Sequence, residues 1–252
     1  ASHSGGGMCI YYGSSPTLNY VTIDSNIAVR VGGGINLAFS SSPSIRNTTI
    51  KNNTAATELG GGIATYSNCN PILENVLILN NSAANFGGGL SFEAEDTPIL
   101  NNVLISDNNN GGIRCSGSSN AVLNNVTITN NTGQSGVSIT WSNPTITNSI
   151  IYNNSPLQID VREGIVNPVV SNSIIQGGYD GTGNIDLDPL LTNPALGDFR
   201  LSDYSPAIGA GTMTNALDTD LEGNPRPNPA GSNPDMGAYE NSLADPLHNS
   251  FI

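Results

Sequence analysis

Short apolar stretches recur along this chain at a nearly constant distance, and none shows the three- and four-residue spacing of an amphipathic helix. Seven segments align without gaps. They start at Pro16 (PTLNYVTIDSN), Pro43 (PSIRNTTIKNN), Pro71 (PILENVLILNN), Pro98 (PILNNVLISDN), Ala121 (AVLNNVTITNN), Pro144 (PTITNSIIYNN) and Pro168 (PVVSNSIIQGG), with spacings of 27, 28, 27, 23, 23 and 24 residues. The third position is always aliphatic (Leu18, Ile45, Leu73, Leu100, Leu123, Ile146, Val170), and the eighth is always isoleucine, from Ile23 to Ile175. The fifth is asparagine in Asn47, Asn75, Asn102, Asn125, Asn148 and Asn172, with Tyr20 as the exception. The eleventh is asparagine in Asn26, Asn53, Asn81, Asn108, Asn131 and Asn154. A second block lies about eight residues upstream of each segment and reads GGMCI, GGINL, GGIAT, GGLSF, GGIRC, SGVSI and LQIDV. Each period thus holds two or three short strands between Gly or Asn corners.

One architecture fits this period: an all-β, right-handed parallel β-helix of about seven coils, spanning residues 1–180, with a loop-rich C-terminal cap over 181–252. Coils stacked at the inter-strand spacing give a rod of roughly 33 Å. Aliphatic columns fill the interior. Asparagines occupy corners, where they tolerate left-handed backbone and their amides bond the Asn above and below. Right-handedness follows from the general hand of parallel crossovers. The L-x-x-L-x-L run and helical half of a leucine-rich repeat are absent. The seventh column reads Thr22, Thr49, Leu77, Leu104, Thr127, Ile150, Ile174, and its apolar half is expected to lie under a neighbouring element or partner.

The tail abandons the columns. It carries Asp188–Leu190 (DPL), Asp198–Gly211 (DFRLSDYSPAIGAG), Asp220–Arg226 (DLEGNPR) and Asp235–Glu240 (DMGAYE). These four motifs, in this order after Asn-rich coils, resemble the C-terminal signature of secreted bacterial β-helix proteins of the choice-of-anchor Q type. The resemblance covers essentially the whole chain and implies export and display at the bacterial cell surface. It implies no particular chemistry. In that family the acidic tail positions and the arginine form the signature. Arg226 is expected as the ion-pair hub of the cap, with Glu240 or Asp235; Ca²⁺ held by Asp218, Asp220 or Glu222 is the competing reading.

Composition narrows the function. The 252 residues include 36 Asn and 29 Gly, only 11% are charged, and the net charge is −13. Acidity on this scale disfavours nucleic acid, polyanions and anionic membrane surfaces. No apolar run reaches the length of a membrane span, and Ala1-Ser2-His3-Ser4 leads into glycines without a signal peptide. The chain opens at the edge of its first coil and ends at HNSFI, so it is expected to be a piece of a longer chain or assembly.

Candidate chemistry is sparse. The two histidines, His3 and His248, stand at the chain ends, which disfavours a His base or zinc site. Cys9, Cys69 and Cys115 fall in coils one, three and five, too far apart to form disulfides. The outward residues of the GGI strands form two columns: Cys9, Asn36, Ala64, Ser91, Arg114, Ser138, Asp160, and Tyr11, Ala38, Tyr66, Glu93, Ser116, Thr140, Arg162. Glu93 and Arg114 are diagonal neighbours and form the candidate catalytic pair, within the acidic run Glu93-Ala94-Glu95-Asp96 that otherwise reads as a solvated turn. Arg30 and Glu58 are expected to pair across coils. Asp160 and Glu163 are the candidate carboxylates for glycoside hydrolysis. Tyr11 and Tyr66 share a column and are the candidate sugar-stacking residues; Tyr152 and Trp141 are isolated, so no continuous aromatic platform is expected.

The sequence therefore predicts a non-catalytic segment of a large secreted surface protein, serving as stalk, adhesin or glycan-binding scaffold. It requires no cofactor, with Ca²⁺ the candidate ion, and its partner is a polysaccharide or another surface protein. The alternatives are a polysaccharide lyase-like enzyme acting through Glu93 and Arg114, or a subunit of an extracellular fibre.

Overall fold

The computed structural model describes residues 3–164 and 166–247. Among them the regular elements are β-strands and a single 3₁₀ turn at Pro194–Leu196. The GGI blocks form a front sheet of seven parallel strands: Met8–Tyr11, Ile35–Ala38, Ile63–Tyr66, Leu90–Glu93, Ile113–Ser116, Val137–Thr140 and Ile159–Glu163. Seven rungs make six complete turns from the first strand to the last. The aligned segments form a second, longer sheet, and Ile27–Ala28, Thr54–Ala55 and Ser82–Ala83 a short third one.

The fifth-column residue shapes the long sheet. In Ser44–Lys51, Ile72–Leu79, Ile99–Ser106 and Val122–Thr129 the strand bends at an Asn with φ of 46–55°. A left-handed residue breaks the in–out alternation, so the third, sixth and eighth positions all face the interior: Ile45, Thr48 and Ile50 are buried. Asparagine adopts this conformation more readily than other side-chain-bearing residues, which accounts for the column.

The two asparagine columns have different fates. The eleventh is the buried ladder: Asn53 N and Nδ2 both donate to Asn81 Oδ1 at 3.0 Å, and Asn81 N and Nδ2 donate to Asn108 Oδ1 at 2.8 and 3.1 Å. The pattern continues to Asn154, whose amide groups donate to Gln158 Oε1. The fifth column bonds to itself only as far as coil four, through Asn75 to Asn47 and Asn102 to Asn75, and Asn47 reaches the fourth-position Asn19 of the first coil, where Tyr20 holds the fifth. Beyond that its amides turn to the tail.

The paired glycines before the first five front strands permit backbone contact between coils. A Cβ on Gly61 would lie 2.4 Å from the carbonyl oxygens of both Gly88 and Ser82. No side chain fits there.

Residues 176–186 cross the end of the seventh coil, where Ile175 N donates to Ile185 O and Ile185 N to Ser173 O. The tail then turns back and runs along the outside of the long sheet toward the first coils. Thr212 meets Asn148, Gly237 meets Asn125, and Arg226 meets Asn102. Leu201, Ala207, Ile208 and Met236 pack on Ile150 and Ile174. The tail is thus mainly a lateral strap rather than the end cap expected from the sequence, because the apolar seventh column offers it a face to bury. Leu104, Ile150 and Ile174 are buried, and Leu77 is half-buried.

Candidate functional site

The outward columns of the front sheet stack in register, with one correction. A β-bulge between Ile139 and Thr140 places Glu163, rather than Arg162, opposite Thr140. Over coils one to four these columns line a groove of about 520 Å³. Its floor is small or polar (Asn36, Ala38, Ala64, Ser91), Tyr11, Phe39, Tyr66 and Glu93 line it, and Arg30, Val31, Glu58 and Leu59 border it. Three of the sequence candidates thus meet in one concavity.

Several polar groups in the groove have defined partners. Asn36 Nδ2 donates to the Tyr11 hydroxyl at 2.7 Å, and burial and Cys9 raise the Tyr11 phenol above its ordinary range. Arg30 Nε meets Glu58 Oε1 at 2.6 Å. Glu93 Oε1 accepts from Arg114 Nε at 2.7 Å and from Ser91 Oγ at 3.1 Å. Arg114 also lies 4.7 Å from the Phe86 ring centroid, and Arg162 lies at the same distance from that ring. The cations near the groove are therefore matched by carboxylates. Asp160, a candidate hydrolytic carboxylate, is engaged by Arg162 at 2.6 Å.

Asp96 departs from the solvated acidic turn read from the sequence. It is fully buried. Its carboxylate accepts from Thr65 Oγ1, from Cys69 N at 2.6 Å and from Glu93 N at 3.0 Å. Desolvation pushes its pKa up to about 6. Cys9, Cys69 and Cys115 are free thiols, and burial pushes Cys115 up to about 12. His3 is exposed, and His248 lies outside the described residues.

Sequence reasoning missed Tyr12 and Phe39. Their rings stack with centroids 5.3 Å apart and planes 10° from parallel, and both rings approach Tyr11 at 6.1 and 6.3 Å. A joined aromatic cluster therefore exists where none was expected. The available signal was positional: each follows the last residue of its front strand. A turn at that point obscured the stacking of one coil's corner on the next.

In the tail, Arg226 donates from Nε to Glu240 Oε2 at 2.8 Å, from Nη1 to Asn102 Oδ1 at 2.8 Å and from Nη2 to Gly237 O at 3.1 Å, and both charged side chains are buried. Asp235 accepts from Gly209 N and Asn241 N, and burial, with Glu240 nearby, pushes its pKa up to about 7. Asp218, Asp220 and Glu222 do not form a ligand set. Asp220 is buried and its oxygens accept from Glu222 N, Asn224 N, Asn224 Nδ2 and Glu240 N, while Asp218 and Glu222 are exposed. Among the described residues no group of three His, Cys, Asp or Glu is placed to hold a metal ion. A second groove of about 540 Å³ lies between strap and long sheet, lined by Tyr20, Asn47, Asn75, Leu77, Glu222 and Tyr239. Asn172 N bonds to Thr182 O at the closed end.

A family model described as "Right handed beta helix region" matches residues 1–97 and, overlapping, 59–187. The chain belongs to the right-handed β-helix family. Within this β-helix the matched residues contain every coil and the whole front groove, while most of the strap lies beyond them. No curated protein and no solved structure gives a significant match. No helix among the described residues is long and apolar enough to cross a membrane.

Proposed function

We propose that this β-helix is a non-catalytic, glycan-binding scaffold of an exported bacterial surface protein. The observation that carries the reading is the front groove, where Tyr11 and Tyr66 stand two rungs apart over a floor that includes Ala38, Ala64 and Ser91. Two rungs are roughly 10 Å. Aromatic rings offer flat apolar faces to the C–H faces of sugars, and the small floor leaves room for a chain between them. Glu93 is tied to Arg114 and Ser91, which suits a positioned binding group better than a free base. The resemblance of the tail motifs to those of exported proteins supports a place outside the cell.

A glycan array run beside a polysaccharide-turnover assay, with and without Ca²⁺, tests the proposal. Binding without turnover, weakened roughly tenfold or more in Tyr66→Ala, is the expected result. Release of unsaturated, ultraviolet-absorbing products that stops in Glu93→Gln overturns it in favour of a lyase. Absence of binding to any glycan overturns it in favour of a spacer.

A further inference from the structure

Each coil turns out of its front strand through a residue with positive φ. In coils one to six this corner residue is Tyr12, Phe39, Ser67, Ala94, Gly117 and Trp141, with φ between 53 and 71°. Left-handed backbone suits Gly and Asn, and bulky residues there are outliers that surrounding structure must hold in place. Yet three of the six corners carry large aromatic side chains, and these are not turned inward to stabilise the core. Tyr12 is 82% exposed, Phe39 46% and Trp141 58%. Three bulky residues in a disfavoured conformation, with apolar rings in water, do little for the fold that Asn would not do better.

The corners between them are small. Ser67, Ala94 and Gly117 leave a shallow trough about four rungs long between the Phe39 and Trp141 rings, roughly 19 Å along the axis. The trough adjoins the front groove, whose lining includes Phe39, and Tyr66 and Glu93 immediately precede two of its members. The cations beside it are paired, Arg30 with Glu58, Arg114 with Glu93 and Arg162 with Asp160, while Glu95, next to the Ala94 corner, is an exposed carboxylate. A molecule of net charge −13 with no unpaired cation along this track repels a polyuronate and presents rings to a neutral chain.

We infer that the corner ridge from Tyr12 and Phe39 to Trp141 is a stacking track that holds an extended, neutral polysaccharide along the solenoid axis. The inference rests on the glycan-binding reading and adds ligand charge, ligand direction and the residues that grip it. The backbone strain at the corners is then retained for binding.

Tyr12→Asn and Phe39→Asn, singly and together, are the variants to make, because Asn tolerates the left-handed corner. Binding to neutral polysaccharides and polyuronates is measured by affinity electrophoresis, and the Tm by thermal melting. The expected result has three parts: wild type retarded by a neutral polymer and not by a polyuronate, retardation weakened roughly tenfold or more in the double variant, and a Tm that does not fall. A double variant with unchanged retardation and a lower Tm overturns the inference, since the rings are then structural, and leaves Tyr11 and Tyr66 of the groove as the binding residues. Retardation by polyuronates alone overturns the ligand class. A wild type that no polysaccharide retards overturns the underlying glycan reading instead, as well as the track. Trp141→Asn separates local from extended binding, because its loss weakens retardation by long chains and spares short oligosaccharides only if the ligand spans the trough.

Discussion

Asp235 and Asp96 sit out of water and titrate far above the ordinary carboxylate value of 3.8, pushed up to about 7 and about 6 by desolvation. Between about pH 4 and these values the folded chain holds protons that the unfolded chain releases, so stability rises as pH falls through that window and levels off below it. The reduced repulsion of a chain carrying −13 acts in the same direction. The Tm from thermal melts is expected to be higher near pH 5 than near pH 8; a steady fall toward pH 5 contradicts this assignment. Arg226 is the only cation in the buried strap cluster with Glu240 and Asp235. Arg226→Met leaves those carboxylates uncompensated and is expected to cost about 3–5 kcal/mol in denaturant unfolding, with the strap amides exchanging first. Gly61→Ala forces a Cβ against two carbonyl oxygens and is expected to destabilise the chain, because the opposing atoms are backbone.

The elements show how two identical asparagine columns come to do different work. Asn108 accepts from Asn81 N and Nδ2 and donates to Ile78 O and Asn131 Oδ1, all within the buried interior. Asn108→Ala orphans donors and acceptors on both neighbouring coils and is expected to cost on the order of 3 kcal/mol. Asn75→Gly keeps the left-handed bend, loses half-exposed bonds to Asn47 and Asn102, and is expected to cost about 1 kcal/mol. Equilibrium denaturation of the two variants measures the difference. The strands, the aliphatic interior and both columns were legible in the sequence because a solenoid repeats its local chemistry every coil. Which column turns inward to form the ladder was not legible, nor that Asn102, Asn125 and Asn148 are buried beneath the strap, since side-chain type is the same in both columns and only the bend at the fifth position decides which way each amide faces. The bulge at Ile159–Glu163 was equally hidden, because one extra outward residue leaves the apolar pattern intact.

The whole molecule is a rod whose contacts pass mostly between adjacent coils, with a strap fastened along one side. Arg226 meets Asn102 across 124 residues of sequence, and Asn148 meets Thr212 across 64. Contacts at that separation have no periodic signature, which is why the tail read as an end cap. The face of the long sheet that the strap covers still announced itself through Leu104, Ile150 and Ile174. The front groove was half legible: Tyr11, Tyr66 and Glu93 follow from strand alternation, whereas Tyr12 and Phe39 required knowing how corners stack. Opposite faces of the rod thus have different tasks, the long sheet seating the strap and the front sheet remaining open. Mapping the contact face tests that division most directly. The measurement is a structure of this β-helix with an oligosaccharide of the neutral polymer that retains it best. The account predicts sugar rings laid along the rod axis against Tyr11, Tyr66 and the Tyr12–Phe39 pair. Sugar seated in the groove between strap and long sheet, or no ordered sugar on the front sheet, contradicts it.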